Sequence, residues 1–129
     1  MLETGIKGNQ EVMVSEENSA AVMGSGDLMV FATPAMIALM EKTALKSVAP
    51  FVGDGNGTVG ISLNVKHSAA TPLGMKVRCE SELTEIDGRR LAFTVKAFDE
   101  TGVIGEGVHE RFIVNNEKFQ AKADGKAKK

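Results

Sequence analysis

Two hydrophobic periods divide the chain near residue 55. On the N-terminal side, Val30–Pro50 (VFATPAMIALMEKTALKSVAP) is apolar at most positions, the pattern of a helix covered on nearly every side. Thr33 reads as the N-cap and Pro34 as the first helical residue, where the missing N–H costs nothing. Pro50 and the glycines of GDGNG stop it, which predicts a helix from Thr33 to about Val48. Beyond residue 55 the period becomes two. Val59, Ile61, Leu63, Val65 and His67 fall on one face of a strand, with Gly60, Ser62, Asn64 and Lys66 on the other. MKVRCESELTEI alternates through Met75, Val77 and Cys79, then slips phase near Leu83–Ile86, as a bulge would make it. Asp87-Gly88 marks a hairpin. RRLAFTVKAF alternates through Leu91, Phe93, Val95 and Ala97, DETG turns, and VIGEGVHERFIV supplies a last long strand.

The remaining segments carry weaker patterns. Residues 1–8 read as a loose lead-in, Glu11–Val14 as a short strand, Gly24-Ser25-Gly26-Asp27 as a flexible loop and Thr71–Gly74 as a turn. From Gln120 onward the chain is polar and lysine-rich and is expected to fray. The order is strand, long helix, then strands joined mostly by short connections and consecutive hairpins. It predicts an α+β fold: an antiparallel sheet of about five strands wrapped around one central helix, the hotdog arrangement. Residues 1–120 form a single domain in this reading and 121–129 a tail. One small sheet cannot cover such a helix all round or terminate its long edges, so a homodimer is expected, with Thr33 and Glu41 of one subunit facing His67 of the other.

Composition narrows the function classes. The chain has 129 residues, 43% hydrophobic and 25% charged, with a formal net charge of -2. No basic field argues for nucleic acid. One cysteine and two histidines give no metal-ligand spacing and no intrachain disulfide, and a lone thiol suits a reducing compartment. Leu28–Met40, the longest apolar run, is too short to span a bilayer. With no basic-then-apolar leader, a cytoplasmic protein without membrane partners is expected.

Thr33, Glu41 and His67 are polar interruptions of apolar patterns. Glu41 lies eight residues beyond Thr33, about 12 Å along a helix axis. The two cannot bond within the helix, but both can line one elongated pocket beside it. Glu41, at the helix centre, is expected to be buried. A hydroxyl, a carboxylate and an imidazole are a workable set for acyl transfer. Each also has a plain structural reading: a helix cap, an exposed or ion-paired glutamate, a strand-end histidine. Lys66, Lys76, Arg89 and Arg90 are surface cations able to meet phosphates. His109 reads as structural and Cys79 as core.

Four segments together, VFATPAMIALME, TVGISLNVKHSAATPLGM, ELTEIDGRRLAFTVKAFDE and GVIGEGVHERFIV with the following EKF, resemble the fluoroacetyl-CoA thioesterase-like family of the hotdog superfamily. The resemblance runs from about residue 8 to 120. It implies an acyl-CoA thioesterase acting on a short or medium acyl group, with no cofactor. It implies that Thr33 is the active-site threonine, Glu41 the catalytic carboxylate and His67 the catalytic histidine. Gly60 matches a glycine whose backbone lies against the thioester, and Arg111 an arginine of the substrate pocket. One departure bears on the substrate. Where the family's fluoroacetyl-CoA enzyme carries lid phenylalanines, this chain reads GSGDLMVFAT, with Phe31 as its one aromatic residue. Thioester hydrolysis is implied; selectivity for a fluorinated acyl group is not. A hotdog enoyl-CoA hydratase or dehydratase would want an acid and base close together on one loop-helix, typically Asp and His, where this helix offers Thr33 and Glu41. A non-catalytic acyl-CoA binding module would have no use for Glu41.

Overall fold

The computed structural model describes residues 1–128, and among them five strands form one antiparallel sheet around a central helix. The strands are β1 (Lys7–Met13), β2 (Asn56–His67), β3 (Lys76–Asp87), β4 (Arg90–Asp99) and β5 (Gly102–Asn115). The helices are α1 (Ala20–Met23), α2 (Thr33–Val48) and α3 (Asn116–Asp124). This is the hotdog architecture that the patterning predicts.

The predicted bounds of α2 hold, but its cap is shifted by one residue. Ala32 takes the extended N-cap conformation and Thr33 is already helical, with Pro34 in the first turn. The helix buries Met36, Leu39, Met40, Thr43, Ala44 and Val48. Those positions recur every three or four residues and make one stripe. Ile37 and Leu45 remain half-buried, so a single chain covers one face of the helix and not nearly every side. The stripe packs on the inner face of the sheet, where Val77, Cys79 and Leu83 of β3 and Leu91, Phe93, Val95 and Ala97 of β4 are buried. Each of the valine, leucine and phenylalanine side chains contributes about 1.5–3 kcal/mol by leaving water. β1 approaches the helix so closely that a Cβ at Gly8 would lie 2.7 Å from the Thr43 carbonyl oxygen, which excludes any side chain there.

The strand order is β1-β3-β4-β5-β2. Only β3–β4 and β4–β5 are consecutive hairpins. β2 pairs with β5 at one edge of the sheet and β1 with β3 at the other, so the segment between β2 and β3 is a crossover. Its Thr71–Gly74 turn is closed by Gly74 at φ 89°, a conformation that glycine adopts without strain. The bulge anticipated in β3 appears as a register shift between Leu83 and Glu85. A second shift, between Gly60 and Ser62 of β2, has no trace in the alternation of that strand. It reverses the facing of everything before it. Gly60 pairs with Arg111, while Leu63 pairs with His109, and all four lie on the helix side of the sheet. Gly60 and Leu63 therefore share a face, not the opposite faces that strict alternation assigns.

The C-terminal segment is helical where a frayed tail is expected. Asn115 caps α3 by accepting a hydrogen bond from the Lys118 amide. No helix among the described residues is long and apolar enough to cross a membrane.

Candidate active site

Two polar groupings sit along α2. The first is at its start. Because Ala32 is the N-cap, the Thr33 hydroxyl has no capping duty, and its Oγ1 lies 2.7 Å from Nδ1 of His67. His67 is the last residue of β2, opposite Gly105 of β5. The pair opens on a cleft of about 270 Å³ lined by Ala20, Val30, Phe31, Thr33, His67 and Ala69, among others. Nε2 of His67 is buried with no hydrogen-bond partner among the described residues. Burial lowers the pKa of the ring below its ordinary value, and polar contact with the backbone of Ala69 works against that shift. The ring is therefore uncharged at neutral pH. Nδ1 can then accept the Thr33 proton, the arrangement of a hydroxyl nucleophile and its base.

The second grouping lies two turns further on. The Glu41 side chain is 40% exposed, not buried as its central place in an apolar helix suggests. It flanks the stripe that packs on the sheet. Nη1 of Arg111 is 3.8 Å from Oε2 of Glu41, and the arginine is 6% exposed. Arg111 donates from Nε to Thr58 Oγ1 at 2.7 Å and from Nη2 to the Thr58 carbonyl at 2.8 Å. Its Nη1 is 3.2 Å from Nε2 of His109. Nδ1 of His109 is 2.9 Å from the Ser62 carbonyl oxygen, and the ring is fully buried. Burial, ahead of every other influence, lowers the pKa of His109; the Ser62 carbonyl opposes it and the Arg111 charge adds to it. Burial also lowers the pKa of Arg111, and Glu41 counteracts this.

Gly60 completes this grouping by having no side chain. A Cβ there would stand 2.5 Å from Oε2 of Glu41 and 3.3 Å from Cε1 of His109. The bulge at Ile61 brings Thr58 and Gly60 to this face. Thr58, Ser62 and His109 were not singled out as site residues from the sequence. The available signal is His109-Glu110-Arg111: residues two apart on a strand share a face, so His109 and Arg111 must stand side by side.

Thr33 and His67 come together within one chain, which corrects the expectation that they face each other across two subunits. Glu41 does not join them. It is about 12 Å along the helix from Thr33. Gly60, beneath Glu41, is seven residues from His67 on β2, roughly 20 Å of strand. No group of three metal-ligating side chains occurs among the described residues.

Residues 14–117 match the family described as "FlK: Fluoroacetyl-CoA-specific thioesterase". The chain is 44% identical over 93 residues to the fluoroacetyl-CoA thioesterase of Streptantibioticus cattleyicolor, covering 72% of this chain and 67% of that protein. A solved structure of the fluoroacetyl-CoA thioesterase FlK superposes with a TM-score of 0.91 at 33% identity, over 98% of both chains. A thioesterase superfamily member from Thermus thermophilus superposes with a TM-score of 0.86 at 28% identity, covering 95% of this chain and 90% of that one.

Proposed function

Because this chain belongs to the fluoroacetyl-CoA-specific thioesterase family, we propose that it hydrolyses a short or medium acyl-CoA thioester to the free acid and coenzyme A. The observation that carries the assignment is the 2.7 Å contact between Thr33 Oγ1 and His67 Nδ1 at the mouth of a cleft. In this reading His67 takes the hydroxyl proton as Thr33 attacks the thioester carbonyl. The C–S bond breaks, and the proton passes to the departing coenzyme A thiolate. Glu41 then removes a proton from the water that hydrolyses the acyl-threonine, and Thr33 regains its hydrogen as the acid leaves. A good thiolate leaving group makes no demand for a strong acid. Gly60 and Arg111 bound the substrate side of Glu41.

Glu41 can serve this chemistry only from a second subunit, since its own Thr33 and His67 are out of reach. A homodimer supplies it. β2 is a 12-residue edge strand whose outer side has no partner strand among the described residues, the condition under which identical strands pair. If two copies pair antiparallel about a two-fold axis midway between Gly60 and His67, Gly60 of one protomer stands opposite His67 of its partner. Glu41, seated on Gly60, then approaches the Thr33–His67 pair of the other chain. The half-buried Ile37 and Leu45 are available to the same interface. The buried, unpaired Cys79 and a coenzyme A substrate suit the cytoplasm.

The test is a panel of acyl-CoA esters from acetyl to decanoyl, with free thiol release as the readout. Hydrolysis of at least one ester, abolished in Thr33→Val, is the expected result. Binding of the panel without thiol release would make the protein an acyl-CoA binding module and overturn the assignment.

A further inference from the structure

His109 is a fully buried titratable group for which the hydrolytic steps have no use. Its partners fix its state. A backbone carbonyl can only accept, so Nδ1, 2.9 Å from the Ser62 oxygen, must carry the ring hydrogen. A guanidinium can only donate, so Nε2, 3.2 Å from Nη1 of Arg111, must present its lone pair. Both demands select the same neutral tautomer. A second proton would set two N–H groups and two cations against each other. The groups around the ring are Glu41 from α2, Gly60 and the Ser62 carbonyl from β2, Arg111 from β5 with the charge of the adjoining Glu110, and the Phe93 ring of β4 stacked at 6.2 Å and 28°.

We propose that His109 is a positioning residue: Nε2 holds the Arg111 guanidinium against Glu41, and Nδ1 holds the bulged turn of β2 that brings Gly60 beneath that carboxylate. Arg111 has two of its three nitrogens committed to Thr58. The third, Nη1, is shared between the His109 lone pair at 3.2 Å and the side facing Glu41 at 3.8 Å. The imidazole thus decides where the remaining donor capacity of Arg111 points. An apolar side chain of equal volume would fill the space and leave both the guanidinium and the Ser62 carbonyl unpaired, a buried loss that distorts the site. The effect on turnover rests on the thioesterase reading; the hydrogen-bond assignment does not.

Two experiments test this. In the wild-type protein, 15N NMR of the two imidazoles should show His109 as the neutral Nδ1–H tautomer at pH 7. An Nε2–H tautomer or an imidazolium would overturn the proposal, whatever the enzyme hydrolyses. Next, His109→Gln and His109→Asn each keep one half of the arrangement. The glutamine oxygen can reach the place of Nε2 and accept from Arg111, whereas the asparagine nitrogen can reach the place of Nδ1 and donate to Ser62. His109→Gln should keep kcat within about threefold, and His109→Asn should lose about tenfold, the scale of one hydrogen bond to a charged group. Losses that follow the melting temperatures alone, or no loss in either variant, would reduce His109 to a core residue. If neither variant folds, the wild-type tautomer decides.

Discussion

The two polar groupings along α2 are built by opposite means. At the helix start, Thr33 and His67 are neutral, meet through one hydrogen bond and face an open cleft. Two turns later, Arg111 and His109 are buried, hydrogen-bonded to Thr58 and Ser62, and leave Glu41 as a half-exposed carboxylate at their margin. In the proposed mechanism the first supplies a nucleophile and a base but no anionic group. The second has charge and rigidity but no nucleophile. Each is incomplete in a way the other remedies, and one chain holds them too far apart to cooperate. The difference makes β2 the key element, since it carries His67 at one end and Gly60 near the other. In the proposed dimer, pairing that edge with its own copy joins the two halves.

The largest expected effect breaks the charged half. Glu41→Gln removes the charge and basic lone pair and should lower kcat by at least about a hundredfold, the usual scale for a general base. Because Glu41 is 40% exposed and 3.8 Å from Arg111, stability should change by less than about 1 kcal/mol. A thiol-release assay beside a melting curve separates the two. A comparable fall in both would make Glu41 a structural ion-pair partner instead.

Gly60→Ala should have the next largest effect. Its Cβ would collide with Oε2 of Glu41, and a carboxylate displaced by about 1 Å loses roughly tenfold to a hundredfold in turnover. The same assay reads it, and unaltered turnover would mean that Glu41 does not need its seat on β2.

The smallest effect sharpens the electrostatic contrast. Burial lowers the pKa of both His67 and His109, so the unfolded chain binds more protons than the native one as the medium acidifies. Stability should be complete above the ordinary histidine value of about 6.5 and be lost as pH falls through the lowered native values. The melting temperature should then drop by a few degrees between neutral and mildly acidic pH. His109→Gln should flatten part of that slope, and an unchanged slope would show that His109 binds its proton equally well folded and unfolded.

The legible part of the molecule is the part governed by short-range pattern. Leu91, Phe93, Val95 and Ala97 alternate and are all buried. The hairpin that Asp87-Gly88 signals forms, with Gly88-Arg89 as its two turn residues, and the phase slip at Leu83 is a real bulge. What escaped depends on distant partners. Val59, Ile61 and Leu63 keep a perfect alternation straight through the bulge at Gly60–Ser62, because Ile61 is apolar whichever way it points. A glycine inside a strand was the one available hint. The shift of the cap from Thr33 to Ala32 leaves the Thr33 hydroxyl to a partner 34 positions away, which no local propensity encodes. Glu41 is exposed because the helix packs by a stripe, and composition alone could not separate its flank from its buried face. The apolar patterns mark Thr33, Glu41 and His67 by interruption, and the family resemblance adds Gly60 and Arg111. Their division into two groupings depends on strand pairing and helix packing, which no local pattern encodes.

Subunit complementation tests the shared site most directly. Thr33→Val and Glu41→Gln are purified as separate, inactive proteins, then mixed, unfolded and refolded together. If Glu41 of one protomer serves Thr33 and His67 of its partner, half of the dimers are mixed and each holds one complete site. Thiol release should then recover to about one quarter of the wild-type rate. If each site lies within a single chain, no protomer in the mixture carries an intact set, and the refolded mixture would stay as inactive as its parents.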